Sequence, residues 1–432
     1  MKSKITWALW AVLSLVAAGL LGNEMFFERE KPHFIVGEAS HGHYQIEMAC
    51  DACHTEAFGG TELIHDACVG CHQEELNEVN DSHPIKKFTN PRNADRVKIL
   101  DARNCVTCHK EHQLEQTGDY GVTLPEDYCF RCHEDIAEER PSHEGMGFET
   151  CASAGCHNYH DNLSLYEDFL TKHANAPMIK TLATVLEPNH QETLERKPAV
   201  TQADAPATYA NDEVEAHWLA SSHAQAGISC SGCHEQSGEW QQDPGVEACA
   251  SCHTKESEGF LKGKHGMRLD QGLSPMHPGM ARLDFKDDAD QSGLDCASCH
   301  DPHQPNLKEA AVEACVSCHN DEHSQNYFDS PHFALWQKEL NGEAEENTGV
   351  ACATCHMPAV ANKFNPNKVH IEHNQSLYLR PNEKMIRPVC LSCHSLEFSI
   401  DALADEALIK NNFNGQPSVH VRSIEMALDR LK

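Results

Sequence analysis

The chain has 432 residues, with 34 Lys and Arg against 66 Asp and Glu, 31 His, 22 Cys and a formal charge of −32. That acidity excludes a nucleic-acid binder, which needs Lys and Arg to neutralise phosphates; it fits solubility or a partner with a basic docking face. Hydrophobic residues make up 40% and aromatics only 6%, a thin core for a length that allows two or three domains.

Lys2 and Lys4 precede an apolar run from Ile5 to Gly22, broken only by Thr6 and Ser14. This is the charged-then-apolar order of a secretory signal, and Val16-Ala17-Ala18 supplies small residues for cleavage. The run also reaches the ~17–25 residues that span a bilayer, with the lysines kept inside. Residues 1–22 are expected to be a signal peptide or an inner-membrane anchor, and either places the remainder in the periplasm.

All 22 Cys fall into eleven pairs, and His follows the second Cys of every pair. Five motifs lie in an expected first domain, residues 33–173: Cys50/Cys53/His54, Cys68/Cys71/His72, Cys105/Cys108/His109, Cys129/Cys132/His133 and the wider Cys151/Cys156/His157. Residues 174–212 are an expected linker, because Glu187 to Asp212 is rich in Pro, Ala, Thr and charge. Six motifs follow in an expected second domain, 213–400: Cys230/Cys233/His234, Cys249/Cys252/His253, Cys296/Cys299/His300, Cys315/Cys318/His319, Cys352/Cys355/His356 and Cys390/Cys393/His394. In the tail, 401–432, Val421, Ile424, Leu428 and Leu431 recur at helical spacing, which predicts an amphipathic helix packed on its own domain.

C-x-x-C-H is the attachment signature of haem c: two thiols add to the two vinyl groups of one porphyrin and the next residue ligates the iron. Zinc ribbons need two Cys pairs per metal and, like disulfides, place no demand on the following residue. At this His content a His follows a given Cys about one time in fourteen by chance, so eleven in eleven excludes both. Eleven covalent haem c groups are expected, and no zinc. Two thioethers are expected at the wider motif, with attachment through Cys156 alone as its alternative. Porphyrins would then fill the core, giving a mainly α fold with extensive coil, short helices packed around a chain of covalent haems, and two multihaem domains.

Twenty His remain for the sixth coordination position. His112, His160 and His303 follow a motif His by three, His65 precedes Cys68 by three and His43 precedes Cys50 by seven. His83, His143, His223, His265, His332 and His373 lie in the intervals. These eleven are the candidate distal ligands. His277, His323, His217 and His370 rank below them, and His33, His41, His173, His190 and His420 rank last. With two His on every iron no position is open to substrate, and electron transfer is the chemistry that remains.

These motifs resemble the multihaem c-type cytochromes. The first half, with CVTCHKEH and CASAGCHNYH, is similar to the small class III modules with bis-His haems, a group in which C-x4-C-H sites also occur. The second half resembles the hydroxylamine oxidoreductase and pentahaem nitrite reductase superfamily, through WLASSH at 218–223, Ser330-Pro331-His332 and CATCHMP at 352–358. The resemblance implies a helical, haem-packed domain. Nitrite reductases of that group hold the catalytic haem by a Lys-ended motif, and none occurs here; hydroxylamine oxidoreductases keep a His-ended one.

The reading that follows is a periplasmic electron carrier of eleven bis-His haems between respiratory redox proteins. Its alternative is a reductase or oxidase of nitrite, hydroxylamine or tetrathionate with an open haem in the second half. Tyr378, Arg380, Lys384 and Arg387 are then candidates for an oxyanion pocket, although a basic surface or propionate contact is the preferred reading of that stretch. A third reading is a subunit of a larger respiratory complex. Met357 is not an expected ligand, since it points away from the ring that His356 binds.

Overall fold

The computed structural model describes residues 2–28, 30–56, 59–79, 88–152, 155–160, 165–181, 186, 188, 198–362, 365–379 and 381–432. They form short helices joined by coil. Strand among them is limited to two antiparallel two-stranded ribbons, β1 (Glu235–Gln236) with β2 (Glu239–Trp240) and β3 (Ala359–Ala361) with β4 (Val369–Ile371).

The first helix, α1 (Lys2–Phe27), is the longest element. It is apolar on every side and exposed along its length. At 1.5 Å per residue its 26 residues run ~39 Å, more than the ~30 Å hydrocarbon core of a bilayer.

By contact the chain divides into two units, Met1–Ser164 with Arg268–Ser274, and Leu165–Met267 with Pro275–Lys432. In the first, the main helix after α1 is α2 (Thr61–Glu78), which carries the second Cys pair. Its buried apolar side chains among the described residues are only Ala39, Ala49 and Leu273. A polar clamp takes their place. The Arg268 guanidinium donates to the Gln45 carbonyl at 2.8 Å, to the Ser274 carbonyl at 2.8 Å and to Glu30 Oε1 at 2.6 Å.

The second unit has a protein core. Its longer helices are α3 (Glu167–His173), α4 (Asp212–Ala220), α5 (Thr254–Lys262), α6 (Leu307–Val316), α7 (Pro331–Leu340), α8 (Leu396–Ala404) and α9 (Ser423–Asp429). Side-chain caps start several of them: Asn211 for α4, Asn306 for α6, Ser330 for α7 and Ser395 for α8 each accept from a backbone amide of the first turn, as Asn and Ser do at helix starts. Val312, Tyr327, Trp336 and Ala351 form one buried cluster, and Ile386, Leu396 and Ile400 are almost completely buried.

Residues 165–173, expected with the first domain, belong by contact to the second unit. The reason is specific contact: α3 packs on α9, Arg430 pairs with Glu167, and the Arg387 guanidinium sits 4.1 Å over the Phe169 ring. The start of the expected linker is equally committed. Ile179 forms an antiparallel bridge with His394, and the Lys180 amide donates to the Cys393 carbonyl at 2.7 Å. The tail packs within its own unit, burying Leu408, Ile424 and Ala427.

Candidate haem-binding sites

Each C-x-x-C-H segment winds into about one helical turn. The His amide donates to the carbonyl of the first Cys, at 2.8 Å for His54 and His394, 2.9 Å for His109 and His253, and 3.0 Å for His300 and His319. Residues i, i+3 and i+4 share one face of such a turn, so both thiols and the imidazole are presented together. The wider motif closes the same way: the His157 amide donates to the Cys151 carbonyl at 2.9 Å. Gly155, at φ +82°, supplies the left-handed conformation that takes up the two extra residues.

Opposite the motif histidines stand other imidazoles. Among the described residues nine pairs, each one motif His and one other His, have ring centroids 5.8–6.3 Å apart. In the first unit they are His72 with His43, His109 with His160 and His157 with His143. In the second they are His234 with His303, His253 with His223, His300 with His373, His319 with His265, His356 with His323 and His394 with His332. Two metal–imidazole bonds of ~2 Å plus ~1.2 Å from each nitrogen to its ring centre would put two imidazoles on one iron ~6.4 Å apart. The observed spacing fits an iron between the rings. Ring planes rotate freely about such an axis, which accommodates interplanar angles from 3° for His234–His303 to 77° for His223–His253.

Second contacts orient several of these rings. Nδ1 of His109, His234, His323 and His373 lies 3.1, 2.7, 2.5 and 2.9 Å from the carbonyls of Gly121, Gln241, Ile409 and Ile371, and Nδ1 of His43 is 2.6 Å from Glu111 Oε1. A proton donated from Nδ1 leaves Nε2 for the metal. Burial, aided by the facing imidazole, pushes His265, His332 and His356 down to about 4, so these rings are neutral, as ligation requires.

The remaining candidates fall elsewhere. Among the described residues His54 stands outside these nine pairs, and His133 makes contacts of its own beyond them. His112 is outside them too, with Nδ1 2.8 Å from the Gly37 carbonyl. His65 lies against the third motif, its Nδ1 accepting from the Cys105 amide at 3.3 Å. His83 lies outside the described residues. His323, ranked below the candidates in sequence, is the ring that faces His356; its signal was a position just past a motif, four residues after His319. None of the nine pairs joins His160 or His303 to the motif just before it. Of the suggested oxyanion residues, Arg387 stacks on Phe169 and Arg380 lies outside the described residues. Met357 Sδ lies 3.4 Å from Gln375 Nε2.

Within each unit the motifs follow one another in space in sequence order. In the first unit Cys53 faces Cys68 and Cys71, the Cys68 and Cys105 thiols touch, Tyr128 lies among Cys108, Cys129 and Cys151, and the Cys129 and Cys151 thiols touch. In the second unit Cys233 faces Cys249 and Cys252, Cys249 touches Cys296, Cys299 faces Cys315 and Cys318, Cys315 touches Cys352, and Cys355 faces Cys393. Contact thus alternates between first-Cys and second-Cys edges along the second unit. One connected cavity of about 2620 Å³ runs through that unit, lined by His223, His300, His332, His394, Cys233 and Cys393 among others. That is several times the ~300–1,000 Å³ of a single-ligand pocket, and it suits several porphyrins.

The fourth motif has the same local turn. Its turn closes, with the Cys132 and His133 amides donating to the Cys129 carbonyl at 3.2 and 3.1 Å. Cys132, expected to hold the fourth haem together with Cys129, is half-buried beside that residue.

The comparisons agree with this geometry. A family model described as Cytochrome c3 matches residues 42–134, which hold the first four motifs. The chain is also similar to the multiheme cytochrome MtrA of Shewanella baltica (strain OS185), 27% identical over 170 residues, 35% of this chain and 38% of that protein. These matches support a multihaem c-type cytochrome. They support covalently bound haem c as its cofactor. The match spans well under half of the cytochrome named, and no solved structure matches this chain.

Proposed function

We propose that this cytochrome is a periplasmic electron carrier holding eleven bis-His haems and passing electrons between respiratory redox proteins. Bound haem supplies a one-electron iron couple at each site. The residues would do the rest: the paired thiols would hold each haem, the facing imidazoles would ligate its iron, and the succession of motifs within each unit keeps neighbouring sites adjacent.

The observation that carries the reading is the pairing of imidazoles. All six motif histidines of the second unit face a second His at coordination spacing, and that half is where an open, substrate-binding haem was the alternative. The apolar α1, long enough to cross a bilayer, supports export and attachment to the inner membrane. The charge of −32 supports partners with a basic docking face, whose encounter rate falls as salt rises.

Electron paramagnetic resonance and near-infrared magnetic circular dichroism of the oxidised, haem-loaded protein test the proposal. Low-spin signals from every iron are expected. A high-spin ferric signal that changes on adding nitrite or hydroxylamine would replace the carrier with an enzyme.

A further inference from the structure

Away from the haem motifs, one cluster has the donors of a second kind of metal centre. Glu397 and Asp401 are four residues apart on α8, and so share a helix face. His420 lies in the coil before α9, and Glu425 lies on α9. One oxygen each of Glu397 and Glu425 and a ring nitrogen of His420 lie mutually within 4.8 Å. His420 Nδ1 is 3.0 Å from Asp401 Oδ2, and its Nε2 is 2.7 Å from Glu425 Oε1. Asp401 is itself braced, its Oδ1 accepting from the Val421 amide at 2.8 Å.

This is the order in which a carboxylate orients a ligating imidazole: Asp401 takes the Nδ1 proton and leaves Nε2 facing the other donors. A separate observation points to a missing partner. Glu425 Oε2 is shielded from solvent and has no hydrogen-bond partner. Among the described residues, no Lys or Arg pairs with Glu397, Asp401 or Glu425, so three carboxylates gather around one imidazole.

We propose that Glu397, His420 and Glu425 bind one divalent transition cation of the Zn2+ type, with Asp401 as the residue that positions His420. One imidazole and two carboxylates match zinc, which takes nitrogen and oxygen ligands in a four-coordinate site with a water completing the shell. Ca2+ and Mg2+ prefer all-oxygen shells. The cysteines play no part in this site. It draws α8, which follows directly from the last haem motif, together with α9.

The test uses the full, haem-loaded chain in detergent, stripped with a chelator and equilibrated with micromolar Zn2+, with bound zinc measured by elemental analysis against the chain's own iron. One zinc per chain is expected in the wild type, lost in the double variant E397Q/E425Q, and retained 10–100-fold more weakly in D401N, the range for orienting partners. The haem spectrum should be the same in all three, showing that the irons and the fold are untouched. Equal zinc in the wild type and E397Q/E425Q, or none in either, would overturn the site. D401N affinity equal to wild type would overturn the role given to Asp401.

Discussion

Replacing His323 by Ala tests the pairing geometry at its least expected point. The His323 and His356 centroids are 6.1 Å apart, and the Nδ1 of His323 lies 2.5 Å from the Ile409 carbonyl. Removing the ring leaves the tenth site with one axial imidazole, and leaves the Ile409 carbonyl without that donor, at a cost of about 1–3 kcal/mol. A domain stable by ~5–15 kcal/mol tolerates that loss. The protein should therefore fold, and one iron in eleven, ~9% of the total, should turn from low-spin to high-spin, since the spin state follows axial ligation. Quantitative electron paramagnetic resonance against total iron reads that fraction, and free imidazole should restore the low-spin form. His33→Ala, on an exposed ring paired only with Glu24, should leave the spectrum unchanged. A fully low-spin H323A spectrum without imidazole would refute the pairing and the spacing argument behind it.

Three further outcomes are expected. Arg268→Met removes a cation whose side chain is 3% exposed while leaving Glu30, at 38%. Breaking a buried pair costs ~3–5 kcal/mol, and the exposure of Glu30 puts the loss at or below the low end of that range, read as a lower urea midpoint. Asp405 accepts from the Ser418 amide and hydroxyl and the Leu408 amide, and these bonds hold its carboxyl below the ordinary 3.8. Its stabilisation is complete above the unfolded value and is lost as pH falls through the folded one; urea melts should thus separate wild type from Asp405→Asn above pH 4 and converge in stronger acid. Cys151→Ser should keep a haem on Cys156 but change its pyridine haemochrome band from the two-thioether to the one-thioether position; an unchanged band would show that Cys151 was never attached.

The candidate sites divide by how far apart their parts lie in the chain. Thiols and motif histidines were legible because one turn brings them together, and the covalent chemistry needs nothing more distant. Facing imidazoles come from farther away. His143 and His157 are 14 positions apart, His300 and His373 are 73, and no local pattern ranks such partners. His323 ranked low for that reason, and His112 and His65 ranked high on spacing that does not place either in the nine pairs. His160, three residues after its own motif's His157, faces His109 of another motif instead.

By itself the sequence determined the cofactor, the number of attachment motifs, the apolar leader and the thin side-chain core, because each follows from composition or from contacts within one turn. Only the tertiary structure decided which imidazole faces which, the succession of motifs within each unit, the division after residue 164 and the gathering of Glu397, Asp401, His420 and Glu425. Those depend on backbone pairing and helix packing between distant segments, such as Ile179 on His394 and α3 on α9, and such contacts leave no periodic trace in the chain.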